Sequence, residues 1–221
     1  MNSPKPLLLG HRGACRCAPE NTIAAFDLAL EHGCDGFEFD VRLTADQQGV
    51  ICHDAEYSEL AVAGCSLAKL HERLASLASL KSVIERYAAT AFLDIELKVP
   101  GAERTIARLI SENPPARGYV VSSFLPEVVT ALHAAAPQLT AGLIADRRSD
   151  LERWRDLPIQ VVIPHYSLCS PALIKEAHEK EKQVFVWTVN RASDMKRFDD
   201  LSVDAVISDD TALLCRTLRN R

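Results

Sequence analysis

Eight times along this chain a short apolar run gives way to a stretch whose apolar residues recur at helical spacing. That alternation constrains the fold more than any other feature of the sequence. The apolar runs fall at 7–9, 36–43, 91–99, 119–124, 139–144, 160–163, 184–189 and 205–207. The helical stretches fall at 22–32, within 67–89, and at 102–112, 126–136, 149–155, 171–182, 193–199 and 211–218. Asn21 or Thr22 suits the N-cap of the first helix and Gly33 its C-terminal stop. A further extended piece, 49–52, follows the second run. Strands separated by helix-length crossovers run parallel, and eight such units close into a (β/α)8 TIM barrel. An open doubly wound sheet is the alternative, but it usually has fewer units, and no Gly-x-Gly-x-x-Gly follows the first run here. With 221 residues and no linker, low-complexity tract or break in composition, the expectation is one barrel domain over residues 1–221.

The charge balance narrows the choice of partner. A formal net charge of -5 with no basic run argues against nucleic acid, though not against a small anion held by a local field. No segment approaches the ~20 consecutive apolar residues of a membrane span, so stable membrane insertion is not expected. The seven cysteines, at 15, 17, 34, 52, 65, 169 and 215, are odd in number and scattered. That reads as free thiols in a reducing compartment rather than a disulfide framework. Cys15-Arg16-Cys17 has the spacing of a metal half-site, but no second pair complements it. The first ten residues are too short for a signal peptide, so a cytoplasmic location is expected.

In such a barrel the chemistry lies at the C-terminal ends of the strands. The first run ends in Gly10-His11-Arg12-Gly13, the second carries Glu38-Phe39-Asp40, and the piece after it leads to His53-Asp54. The third carries Asp94-Ile95-Glu96-Leu97-Lys98. Later ends offer Ser122-Ser123-Phe124, His165, Trp187-Thr188-Val189-Asn190 and Asp209-Asp210. Side chains two apart share a strand face, so Glu38 and Asp40 point one way, and Asp94, Glu96 and Lys98 likewise. Their apolar neighbours should pack on the outer helices, which leaves the ionisable set inside the barrel. Buried carboxylates are costly unless paired, and a cluster of three (Glu38, Asp40, Glu96) is an oxygen-rich site for one hard divalent cation, Mg²⁺ or Ca²⁺. Any one of them alone would read as a salt bridge. His11 and His53 flank the cluster and suit general acid and base work near neutral pH. His32, His71, His133 and His178 fall in helical stretches and receive no role, while His165 stands where it can line the mouth.

These residues resemble a known family. His11-Arg12-Gly13, Pro19-Glu20-Asn21-Thr22, Glu38-x-Asp40, His53-Asp54, Glu96-x-Lys98 and Val186-Trp187-Thr188-Val189-Asn190 are similar, in order and approximate spacing, to the motifs of the glycerophosphodiester phosphodiesterases. The resemblance implies a barrel enzyme that hydrolyses small-molecule glycerophosphodiesters to glycerol 3-phosphate and an alcohol. It implies Glu38, Asp40 and Glu96 as metal ligands, and His11 and His53 as the acid–base pair. Arg12 and Lys98 match the family's phosphate-binding cations, Trp187 is a further candidate substrate contact, and Glu20 lies near the site with its role open.

Two segments depart from the pattern. After His53-Asp54 the chain runs Ala55-Glu56-Tyr57-Ser58-Glu59-Leu60, short and acidic, where relatives carry an Arg-containing stretch and a longer insertion. Near the end Ser208-Asp209-Asp210-Thr211 stands where the family often has Thr-Asp followed by Pro. Both bear on specificity and leave the catalytic set intact. Three carboxylates against Arg12 and Lys98 leave the site at -1, and a divalent ion brings it to +1, which a monoanionic phosphodiester neutralises. The rival readings are a lysophospholipase D-type enzyme on the same barrel, which calls for an apolar rim, and a non-catalytic phosphodiester-binding protein, which normally lacks a catalytic residue.

Overall fold

The computed structural model describes residues 5–57 and 59–219. Its strands are β1 (Leu7–Gly10), β2 (Gly36–Leu43), β3 (Gly49–Ile51), β4 (Glu56–Tyr57), β5 (Leu60–Ala61), β6 (Phe92–Leu97), β7 (Tyr119–Ser123), β8 (Ala141–Ala145), β9 (Val161–Pro164), β10 (Gln183–Val186) and β11 (Ala205–Ser208). Its α-helices are α1 (Ile23–Glu31), α2 (Leu67–Arg73), α3 (Leu80–Tyr87), α4 (Glu103–Glu112), α5 (Pro126–Ala135), α6 (Arg148–Leu151), α7 (Pro171–Glu179), α8 (Ala192–Asp200) and α9 (Thr211–Leu218).

Eight strands, in the order β1-β11-β10-β9-β8-β7-β6-β2, pair in parallel and close through β1 and β2. The expected (β/α)8 barrel is therefore the observed one. The extended piece at 49–52 is β3, an antiparallel partner for the end of β2. The bounds follow local chemistry. Thr22 caps α1, its hydroxyl accepting from Ala25 N at 3.2 Å, and Gly33 takes φ +96° beyond the helix. The region 67–89 divides into two helices because Ser79 and Ser82 form a reciprocal capping box that starts a new one. The helix expected at 149–155 is one α-turn, Arg148–Leu151, followed by a 3₁₀ turn, Glu152–Arg155.

Alternation sorts two cores. Phe37, Phe39 and Val41 face outward and pack with Phe26 of α1 and Tyr87 of α3, the Phe26 and Phe37 rings stacked at 4.2 Å. Inside the barrel Leu9, Phe92, Val120, Val161, Phe185 and Ile207 belong to a separate apolar cluster. β2 lies flush against β6, since a Cβ on Gly36 would come within 1.9 Å of the Phe92 carbonyl oxygen. That contact sets the register in which Glu38 pairs with Asp94 and Asp40 with Glu96. Between β3 and α3, Val50, Cys52, Val62, Cys65, Leu70 and Leu77 form a small core of their own.

Candidate active site

Like charges directly opposite one another weaken a sheet, yet the β2–β6 register sets four carboxyls side by side on the inner face. Their surroundings differ. Asp40 is held by Asn21, whose amide donates to Oδ2 at 2.8 Å and whose oxygen accepts from Asp40 N at 3.2 Å. Arg12 Nε lies 3.2 Å from Asp40 Oδ2, and Lys98 Nζ 3.3 Å from Oδ1 and 2.6 Å from Glu96 Oε1. Burial works against ionisation of Asp40, but Lys98 and Arg12 outweigh it and hold this carboxyl below its ordinary range. Glu38 accepts from the Arg12 backbone N–H at 2.9 Å, its one hydrogen bond among the described residues. Burial first, then Asp40, Glu96 and Asp94, push it well above the usual range. Glu96 is pushed up to about 7 by burial and then by Asp40. Asp94 also reaches about 7, mainly by burial, and accepts from the Ser122 hydroxyl at 2.6 Å.

One ligand atom from each of Glu38, Asp40 and Glu96 lies within 4.8 Å of the other two. Glu38 Oε1 is buried and accepts no hydrogen bond among the described residues, while Asp40 Oδ1 has only the Lys98 ammonium near it there. Leaving such an acceptor dry costs on the order of 1–3 kcal/mol, more when it is charged. An all-oxygen set of clustered carboxylates with the buried Glu38 Oε1 to spare fits a hard divalent cation.

The two histidines approach from different strands. His11 follows β1, and its Nε2 lies 3.9 Å from Glu38 Oε2 while its Nδ1 meets Asp209 Oδ1 at 2.7 Å. Burial tends to raise Asp209, yet the hydrogen bond and charge of His11 bring it down to about 2. His53 follows β3, its carbonyl accepting from Arg42 Nε at 2.7 Å, while its Nδ1 contacts the exposed Asp54 at 2.8 Å. Arg12 takes φ +52° and Gly13 φ +80°, and a Cβ on Gly13 would meet Ala25 at 2.6 Å, so this turn packs tightly on α1.

His11, Arg12, Glu38, His53, Glu96, Lys98 and Trp187 all line one cavity of about 90 Å³, with Asp94, Phe124, Ile144, Ile163 and Ile207 completing the wall. Asp40 does not line it, and touches the set through Arg12 and Lys98. Trp187 donates from Nε1 to Ile163 O at 3.1 Å, with Phe124 and His165 packed edgewise on it, each at 5.4 Å. His165 thus stands behind Trp187 and bonds Ser167 rather than lining the cavity. Glu20 receives both oxygens' contacts from Arg12 Nη1, at 3.0 and 3.1 Å. The sequence reading missed Asn21 as the brace of Asp40, although it stands in the quoted Pro-Glu-Asn-Thr motif. It also missed the pairing of Asp209 with His11 across 198 residues, which no spacing reports. A larger cleft of about 690 Å³ lies at the opposite end of the barrel, beside Lys5, Arg117 and Asp204. It gathers neither a carboxylate cluster nor strand C-termini, so volume does not mark the site.

Residues 11–213 match the Glycerophosphoryl diester phosphodiesterase family. A glycerophosphodiester phosphodiesterase of Caldanaerobacter subterraneus subsp. tengcongensis is 31% identical over 241 residues, covering 97% of this chain and 98% of that protein. The crystal structure of glycerophosphodiester phosphodiesterase from Thermotoga maritima superposes with a TM-score of 0.85 at 23% identity, covering 96% of this chain and 98% of the other. A phosphodiesterase of Oleispira antarctica, solved with the product sn-glycerol-3-phosphate, gives 0.84 at 24% identity, with 97% of each chain covered.

Proposed function

This chain belongs to the glycerophosphoryl diester phosphodiesterase family and is an enzyme of that kind, and on this premise we propose that it hydrolyses glycerophosphodiesters to sn-glycerol 3-phosphate and an alcohol by metal-assisted His/His acid–base catalysis. One observation carries the reading: three carboxylates within 4.8 Å of one another, beside two histidines facing the same cavity. Glu38, Asp40 and Glu96 would hold one divalent cation, Mg²⁺ or Ca²⁺, which when bound supplies positive charge against the phosphoryl oxygens.

Arg12 and Lys98 bring cationic donors to the phosphate, and Ile144, Ile163 and Trp187 give the cavity an apolar wall. His11 accepts the proton of the attacking hydroxyl, either of water or of the substrate's own glycerol, the second giving a cyclic phosphate that water then opens to glycerol 3-phosphate. His53 donates a proton to the departing alkoxide. The contact of His11 with Asp209 supports this assignment, because a carboxylate at Nδ1 stabilises the imidazolium that forms when Nε2 takes a proton. His53, beside the exposed Asp54, is better placed to exchange protons with solvent between turnovers. All seven cysteines are free thiols, which supports a reducing, cytoplasmic setting. Among the described residues no helix is long and apolar enough to cross a membrane.

Release of glycerol 3-phosphate from glycerophosphocholine tests the reading. EDTA should abolish it and Mg²⁺ or Ca²⁺ restore it, and the restoring ion should also raise Tm, because it binds the folded state alone. Glu96→Gln should weaken that ion's binding. Full activity in excess EDTA would sink the proposal.

A further inference from the structure

Asn190 and Asp209, which follow the last two strands, form an ordered relay onto His11, and Asn190 has had no part in the chemistry described so far. Asp209 Oδ1 lies 2.7 Å from His11 Nδ1 and accepts from the Cys15 thiol at 3.3 Å. Its Oδ2 accepts from Asn190 Nδ2 at 2.6 Å. The orientation of the Asn190 amide is fixed in turn, because its oxygen accepts from Ser208 Oγ at 3.0 Å and from Asp209 N at 2.9 Å. The Ser208 hydroxyl accepts from Asp210 N at 3.1 Å. Each polar group in this chain has one direction left open to it.

We infer that Asp209, aimed by Asn190, is a positioning residue that holds His11 with its proton on Nδ1 and its bare Nε2 turned to the cavity. An ionised carboxylate only accepts hydrogen bonds, so the imidazole nitrogen facing it must be the donor. In a neutral ring the other nitrogen is then the acceptor, and Nε2 is the atom on the Glu38 side. This inference rests on the proposed role of His11 as the base, which needs an unprotonated Nε2 at the moment of attack.

The relay also specifies what an isosteric change would do. In Asp209→Asn the Asn190 amine still requires an acceptor and claims the one remaining oxygen. The new amine then faces His11 Nδ1, which must accept, so the ring proton moves to Nε2. Geometry is preserved and the tautomer is wrong.

Imidazole nitrogen NMR of the Mg²⁺-loaded wild-type enzyme should report His11 as the Nδ1–H tautomer, and the Asp209→Asn variant should report Nε2–H. The kcat of Asp209→Asn on glycerophosphocholine should fall by roughly 10²–10⁴-fold with KM changed by no more than about threefold. Adding Asn190→Ala to that variant frees the Asn amide to turn, and should return roughly tenfold or more of the lost kcat. An Nε2–H ring in the wild type, or a folded Asp209→Asn enzyme with unchanged kcat, overturns the inference. If Asp209→Asn does not fold, the wild-type tautomer alone decides. A wild-type enzyme that hydrolyses no glycerophosphodiester defeats the proposed function instead, and the NMR reading still stands or falls by itself.

Discussion

His11 and His53 bring the same imidazole to the same cavity but differ in how firmly each is held. The side chain of His11 is 17% exposed and bonded to a carboxylate that is itself braced, whereas His53 bonds Asp54, whose side chain is 78% exposed. Positional fixity is worth most to the group that removes a proton from the nucleophile, and solvent access to the group that must be reprotonated. His11→Ala and His53→Ala should each lower kcat by roughly 10²–10⁴-fold, the usual span for a general acid or base. Steady-state kinetics of the double variant checks whether they act as a unit: its loss should be well short of the product of the single losses. Losses that simply multiply would mean independent roles. At this scale the residue types were readable in advance, because each lies beside a strand end with a chemically telling neighbour. What Glu20, Asn21 and Asp209 touch was not readable, since each reaches a partner brought near by the closed barrel or by a turn with positive φ.

Among the elements, β2 and β6 carry the site. Six paired positions, from Gly36 with Phe92 to Val41 with Leu97, determine that Asp40 stands beside Glu96. A slip of one residue would turn the carboxylates outward onto Phe26 and Tyr87 and bring Phe37 and Phe39 into the barrel. Gly36 guards this register by letting the two strands meet where a methyl group has no room. Gly36→Ala should destabilise the fold by about 3 kcal/mol or more, at the upper end of overpacking costs, and should weaken cation binding even where the protein still folds. Thermal unfolding with and without Mg²⁺ measures both, and an unchanged Tm would contradict the packing argument. Alternation exposed the two-faced character of these strands from the sequence. Their lateral register was beyond it, because register depends on close approach between segments more than fifty residues apart.

For the whole molecule, the size of the cavity is what we expect to set specificity. About 90 Å³ walled by His11, Lys98, Phe124 and Trp187 leaves room for little beyond a phosphate and a small polyol. The chain from β4 through α2 packs on a small core of its own, and on the proposed function we expect the alcohol side of the substrate to meet few groups that discriminate. A tenfold preference needs about 1.4 kcal/mol of differential transition-state binding. We therefore expect kcat/KM within roughly tenfold across glycerophosphocholine, glycerophosphoethanolamine and glycerophosphoglycerol. A phosphodiester without glycerol, such as bis(p-nitrophenyl) phosphate, should be much poorer relative to its leaving group. Competition kinetics with the three substrates provides the check, and a hundredfold preference for one headgroup would require a pocket this cavity does not offer. The barrel, the strand ends that carry the candidate site, and the inward face of the carboxylates are all legible in the sequence. Those are consequences of periodicity and chain order, which are local properties of the polymer. Only the closed barrel brings two cations and Asn21 to Asp40, the Arg12 backbone N–H to Glu38, and Asp209 to His11. Partners and desolvation depend on where distant segments come to rest when the barrel closes, and no local pattern encodes that.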